Sequence, residues 1–231
     1  QDDYQFHPDP VLFFDVPATG TYTLSIHDSI YRGREDFVYR IAIGELPFIT
    51  AIFPLGAQVG KAVDIALAGR NLPRRRLSGK LPENGYEVRH ITVSQKGHPS
   101  NPMPFALDAL PDVFEAEPNN APAQAQALDQ AVIVNGRIDE PGDTDVFGIA
   151  GKKGDTLSIE VVARRLNSPL DSVVTLAGPG LKEPVRNDDH VDKTANHLFL
   201  GAGLVTHHAD SYLQHTLPAD GTYYVEIGDA Q

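Results

Sequence analysis

The chain has 231 residues, 41% of them apolar and 22% charged, and a formal net charge of −12. This length allows one to three domains with substantial cores, and the acidic excess argues against nucleic acid, whose phosphates need concentrated Lys and Arg. No apolar run approaches the ~18 residues needed to span a bilayer, and the absence of cysteine excludes disulfides, thiolate metal sites and a cysteine nucleophile. The opening Gln-Asp-Asp-Tyr-Gln is neither basic nor apolar, so no signal peptide begins here, and a mature product or an excised fragment is expected.

Residues 1–8 read as polar and turn-like. Two strands then follow around a Pro-Ala-x-Gly turn, with Leu12, Phe14 and Val16 on one and Tyr22, Leu24 and Ile26 on the next. Proline presets φ for the turn, glycine supplies positive φ, and the period of two marks a strand with one buried face. Gly33 lies in a charged loop, and Phe37–Ile43 alternates strictly as a closing strand. A second unit starts near Phe48. Val63, Ile65 and Leu67 alternate between Gly60 and Gly69, Pro73–Gly85 reads as a loop, and strands are expected near Tyr86–Val93 and Met103–Leu107. The third unit begins near Asp112. Its Ala121–Leu128 stretch suggests one or two helical turns capped by Asn119 or Asn120. Strands are expected at 131–134, 145–149, 156–162 and 172–176, with Leu157, Ile159 and Val161 alternating most clearly. Long helical periodicity is absent, so the predicted class is all-β.

The chain repeats itself. Residues 210–229 match residues 9–28 at nine of twenty positions without a gap, including Asp9/Asp210, Pro17/Pro218, Gly20/Gly221, Tyr22/Tyr223 and Asp28/Asp229. One module thus occurs at both ends, and at least one copy is cut. In the first copy the strand Phe37–Ile43 follows, whereas the second copy runs only two residues past Asp229. A domain over 112–231 is therefore expected to lack its last strand, and an open sandwich edge is a template for strand addition. Self-association of 9–43 with that edge is the resulting expectation.

Four constellations carry chemistry. Glu115 and Glu117 lie two apart, so an extended backbone puts both carboxylates on one face. Asn119 and Asn120 add amide oxygens, and Asp143 and Asp145 form a second such pair. Ca²⁺ takes six to eight oxygen ligands in flexible geometry, and these two segments can supply most of them. The alternative is that the acids are solvated and Asn119 caps a helix. Asp188, Asp189 and Asp192 form a second acidic cluster, for which plain solvation is the rival reading. His190, His197, His207, His208 and His215 fall within 26 residues, and zinc at His190, His207 and His208 would make a hydrolase segment. Their spacing matches no zinc motif, and adjacent His207 and His208 would point to opposite faces of a strand. Ser211, with His and Asp beside it, has no Gly-x-Ser-x-Gly elbow, and the repeat accepts proline at its position. No catalytic residue is expected. Arg74, Arg75, Arg76 and Lys80 form the basic cluster, read as an exposed loop or a contact for an anionic polysaccharide or neighbouring domain.

The third unit resembles the bacterial pre-peptidase C-terminal domain, a jelly-roll-like β-sandwich found beside the catalytic domains of secreted peptidases. The resemblance is carried by Glu115-Ala-Glu-Pro-Asn-Asn120, Gly136-Arg-Ile-Asp139, Gly142-Asp-Thr-Asp-Val-Phe147, Gly154-Asp-Thr-Leu157, Ser168-Pro-Leu-Asp171, Asn187-Asp-Asp189 and Leu217-Pro-Ala-Asp-Gly-Thr-Tyr223. The middle unit is similar to the small immunoglobulin-like sandwiches of transcription factors and receptors (the TIG/IPT type), through Pro54-Leu-Gly56, Gly60 and Gly69-Arg-Asn-Leu72. The resulting division is 1–45, the partial C-terminal segment of a first such module; 46–111, immunoglobulin-like; and 112–231, pre-peptidase C-terminal-like. Relatives in bacterial collagenases bind calcium through an acidic segment at the domain's start and an aspartate turn. The resemblance therefore implies Ca²⁺ at the first acidic constellation. It also implies a non-catalytic binding or spacer role in an extracellular, periplasmic or cell-surface bacterial protein, with a protein or polysaccharide as partner.

Overall fold

The computed structural model describes residues 3–5, 9–129, 131–190 and 209–230. The chain divides into two compact units, Gln1–Glu45 and Leu46–Gln231. Among the described residues there are 17 strands and no α-helix, so the fold class is all-β.

The second unit opens with β1 (Phe48–Phe53), β2 (Gly56–Gln58), β3 (Ala62–Arg70), β4 (Arg76–Lys80), β5 (Val88–Ile91), the short pair β6 (Ser94–Gln95) and β7 (His98–Pro99), and β8 (Met103–Asp108). These give a sheet β1-β3-β4 and a second sheet β2-β8-β5. Strand alternation turns Ile65 and Leu67 of β3 inward with Ile49 and Ile52 of β1. Ala57, Met103, Phe105 and Leu107 come from the other sheet, and together they form one core. Close backbone approach fixes the residue type at Gly69, where a Cβ would stand 2.0 Å from Phe48 O. The stretch read as a loop, Pro73–Gly85, contains β4. Its side chains are mostly exposed and charged, which hid the strand from a reading based on apolar alternation. Arg76 of the basic cluster pairs with Asp64 across the ladder, and Lys80 Nζ lies 2.5 Å from Glu83 Oε1.

The rest of the unit contributes β9 (Asp112–Phe114), β10 (Gln126–Leu128), β11 (Ile133–Asn135), β12 (Thr144–Gly151), β13 (Thr156–Glu160), β14 (Ser172–Ala177), β15 (Val185–Asn187), β16 (Tyr212–Thr216) and β17 (Gly221–Asp229). The main sheet runs β10-β12-β17-β14-β15, with the pairs β13-β16 and β9-β11 beside it. A second core gathers Val174, Leu176, Leu213, Leu217, Tyr223 and Val225. Burying each such side chain stabilises the fold by about 1.5–3 kcal/mol. β17 lies at the centre of its sheet, paired antiparallel to both β12 and β14.

Two local expectations are corrected. Ala121–Leu128 is not a capped α-helix: a single 3-10 turn spans Pro122–Gln124, with no side-chain cap, and leads into β10. Asn119 is fully buried instead. In the first unit, no described residue between 9 and 45 belongs to a strand, although three strands were expected there. Alternation specifies a face; a strand also needs a partner to complete its ladder, and the described residues of this unit supply none.

Candidate functional site

The carboxylates of Glu115, Glu117 and Asp145 bring one oxygen each within 4.8 Å of one another. Local structure explains how segments thirty residues apart meet. β9 pairs in parallel with β11, and Glu115 N donates to Asn135 O at 3.1 Å, which sets the acidic segment beside the turn after β11. Val146 N donates to Asn119 O at 2.9 Å, which draws the start of β12 against Asn119. Asp145 then points inward as a buried residue of β12, Glu115 is half-buried, and Glu117 is exposed.

Gly136 makes room for this arrangement. A Cβ there would stand 2.3 Å from Glu115 Oε2 and 3.3 Å from Asp145 Oδ2. The next residue holds the site on two sides. Arg137 N donates to Glu115 Oε2 at 2.7 Å, and the Arg137 guanidinium lies 3.7 Å from the Phe53 ring centroid. Phe53 in turn packs on Phe114, with ring centroids 5.9 Å apart.

Two features mark the cluster as more than a group of solvated acids. Asn119 is 0% exposed, yet among the described residues neither Oδ1 nor Nδ2 has a partner at hydrogen-bond geometry, and Asp145 Oδ1 is likewise buried without one. Buried polar atoms without partners each cost about 1–3 kcal/mol, so they are rare unless something else satisfies them. The electrostatics agree. Burial first, then proximity to Glu115 and last the charge of Asp143, push the Asp145 carboxyl up to about 8, against an opposing pull from the nearby Asn119 amide, which approaches Asp145 without reaching hydrogen-bond geometry. Glu115 is raised as well, chiefly by burial. Crowded carboxylates need either shared protons or a cation.

Of the six residues expected to act together, the structure gathers Glu115, Glu117 and Asp145, with Asn119 buried against them. Asp143 and Asn120 are used differently. Asn120 Nδ2 donates to Asp143 Oδ1 at 3.0 Å, and Asp143 Oδ2 accepts from Asp139 N at 2.8 Å, closing the turn before β12. Sequence reasoning did not assign Gly136 to the site, because residue type alone does not show what would meet a Cβ.

The remaining candidates fare differently. Asp188 and Asp189 are described, whereas Asp192 lies outside the described residues. Asn187, at the head of that loop, donates to Asp189 O and accepts from Tyr212 N, both at 2.9 Å, and so pins the loop to β16. His190 packs on Tyr212, with ring centroids 4.9 Å apart, and His197, His207 and His208 lie outside the described residues. Ser211 is fully buried, its hydroxyl 2.9 Å from that of Ser172, and Asp210 is also buried. Asp210 accepts from the backbone N–H groups of Ala163, Arg164 and Arg165 and from Arg165 Nε at 2.6–3.2 Å. Both residues brace the start of β16.

No family model matches the chain. A probable subtilase-type serine protease of Deinococcus radiodurans is 30% identical over 125 residues, which is 53% of this chain and 15% of that protein. The chain thus spans less than a sixth of this curated relative's length. The similarity is distant and partial, to a segment of a subtilase-type protease.

Proposed function

We propose that the chain is a non-catalytic, calcium-stabilised binding or spacer segment of a larger extracellular bacterial protein, and that Glu115, Glu117, Asp145 and the Asn119 side-chain oxygen hold the ion. The observation that carries this reading is the cluster of three carboxylates beside a buried, unpartnered Asn119. An all-oxygen donor set suits Ca²⁺ or another hard cation, and excludes the thiolate and imidazole chemistry that selects zinc. Bound calcium would supply charge neutralisation where β12, the acidic segment and Gly136 meet. It would take the place of the proton that the crowded pair otherwise retains, so binding is coupled to proton release.

The spacer role draws support from the partial similarity to a protease segment and from the resemblance of residues 112–231 to pre-peptidase C-terminal sandwiches of jelly-roll type. On this reading hydrolysis belongs to another part of a larger protein, and this segment positions or targets it toward a protein or polysaccharide outside the cell. The test is thermal unfolding with excess calcium and with chelator. A ligand that binds only the folded state at 100 times its Kd stabilises by about 2.7 kcal/mol, or ~5–11 °C for a unit of this size. An unchanged midpoint at millimolar calcium would sink the proposal.

A further inference from the structure

The two copies of the repeat share a turn but differ in what covers them. Tyr223 Oη lies 2.8 Å from Ala219 O and accepts from Ala219 N at 3.3 Å. Tyr22 Oη repeats this with Ala18 O at 2.7 Å and Ala18 N at 3.4 Å. The turn closed by this tyrosine is therefore formed in both copies. Leu213, Leu217, Tyr223 and Val225 are 4, 3, 0 and 4% exposed, whereas their counterparts Leu12, Val16, Tyr22 and Leu24 are 60, 63, 48 and 49% exposed. Of the 19 exposed large apolar residues among the described ones, 14 lie between positions 12 and 43. Monomeric proteins rarely leave so many large apolar side chains of one short segment uncovered unless they meet a partner.

The second copy shows what such a face receives. β16 pairs with β13, β17 takes ladder bonds from β12 on one edge and β14 on the other, and Tyr223 Oη also lies 2.9 Å from Pro179 O. The covering side chains include Val174 and Leu176, with Ile149, Leu157 and Ile159 partly buried against them.

We propose that the apolar face of residues 9–43 is a docking surface for a polypeptide stretch built like residues 112–190 of this chain, which seats on it as β12, β13 and β14 seat on β16 and β17. Backbone chemistry selects this occupant. An extended strand with a partner on each edge satisfies its N–H and C=O groups only through other strands, which a lipid surface or a glycan cannot provide. A second copy of 9–43 repeats the receiving pair itself and adds a single further stretch, Phe37–Ile43, whereas the counterpart pair draws its ladder from three strands of a different segment.

The repeat register defines the experiment. Position 208 aligns with position 7, so residues 112–208 are fused ahead of position 8 of the full chain. Hydrogen exchange is then read on peptides from residues 8–45, whose sequence occurs once in the fusion. The expected result is slowing of the amides of residues 12–26 by on the order of 100-fold relative to the unfused chain, with lower binding of an apolar dye. The same fusion carrying Leu24→Asp should lose that protection. Amides that exchange equally fast in fused and unfused chains would overturn the proposal, because 9–28 would then fail to do what 210–229 does. An unfused chain that sediments as a dimer with residues 12–26 already protected would also overturn it, in favour of a second copy as the occupant.

Discussion

Replacing Gly136 with alanine puts a methyl group where the site keeps its carboxylates. The new Cβ would stand 2.3 Å from Glu115 Oε2, whereas real Cβ contacts essentially never fall below 3.0 Å, so the carboxylate must retreat by at least 0.7 Å. Calcium–oxygen distances occupy a window of only about 2.3–2.6 Å, so a retreat of that size removes Glu115 from the coordination shell. Disturbing the support of one ligand typically weakens metal binding by ~10–100-fold, or about 1.4–2.7 kcal/mol. At ~2–4 °C per kcal/mol for a unit of this size, the calcium-induced rise in midpoint should shrink by about 3–11 °C. Metal-free stability should move far less. Glu115 gives up its hydrogen bond from Arg137 N, a change of about 1 kcal/mol, and partly offsets it by leaving the crowded company of Asp145. Thermal unfolding followed by circular dichroism, with calcium and with chelator, separates the two effects. A Gly136→Ala protein that keeps the full calcium response would refute the assignment of Glu115 as a ligand.

Further outcomes follow from the same contacts. The folded protein holds Asp145 protonated up to about 8 and raises Glu115 in the same direction. The contribution of this pair is therefore complete below the unfolded carboxylate range near 4 and is lost as pH rises toward 8. The metal-free midpoint should accordingly fall across that window, and Asp145→Asn should flatten the slope; an unchanged slope in that variant would contradict the crowding. Asp210→Ala leaves three backbone N–H groups and Arg165 Nε without their acceptor. It should cost about 2–4 kcal/mol in urea unfolding, and a loss under ~0.5 kcal/mol would show that the bracing is dispensable. Tyr223→Phe should cost about 1–3 kcal/mol, because its buried hydroxyl serves two carbonyls and an N–H. Tyr22→Phe should stay within ~0.5 kcal/mol, since that side chain is about half exposed; equal losses for the two would contradict the difference in cover between the copies.

The all-β class was legible wherever apolar residues alternated, as at Val63, Ile65 and Leu67 in β3 or Leu157 and Ile159 in β13. β4 was not legible, because an edge strand with charged, exposed side chains carries no such signal. Residues 9–43 show the reverse case, in which alternation announces a face and the ladder depends on chain that must come alongside it. At the candidate site, the i, i+2 spacing of Glu115 and Glu117 and of Asp143 and Asp145 brought the relevant acids into view. Which of them face one another was set by β-pairing and by Val146 N reaching Asn119 O, and no local pattern encodes that. Asn119 was weighed as a cap or a ligand from its amide alone, and only its burial separates the two.

Calcium titration of the metal-free chain by isothermal calorimetry tests the central claim most directly. Run in two buffers of different ionisation enthalpy, it reads stoichiometry and proton release together. The expected result is saturable binding of one ion per chain with proton release near neutral pH, weakened at least ~10-fold by Asp145→Asn. Absence of saturable binding at millimolar calcium, or undiminished binding in the Asp145→Asn chain, would contradict it.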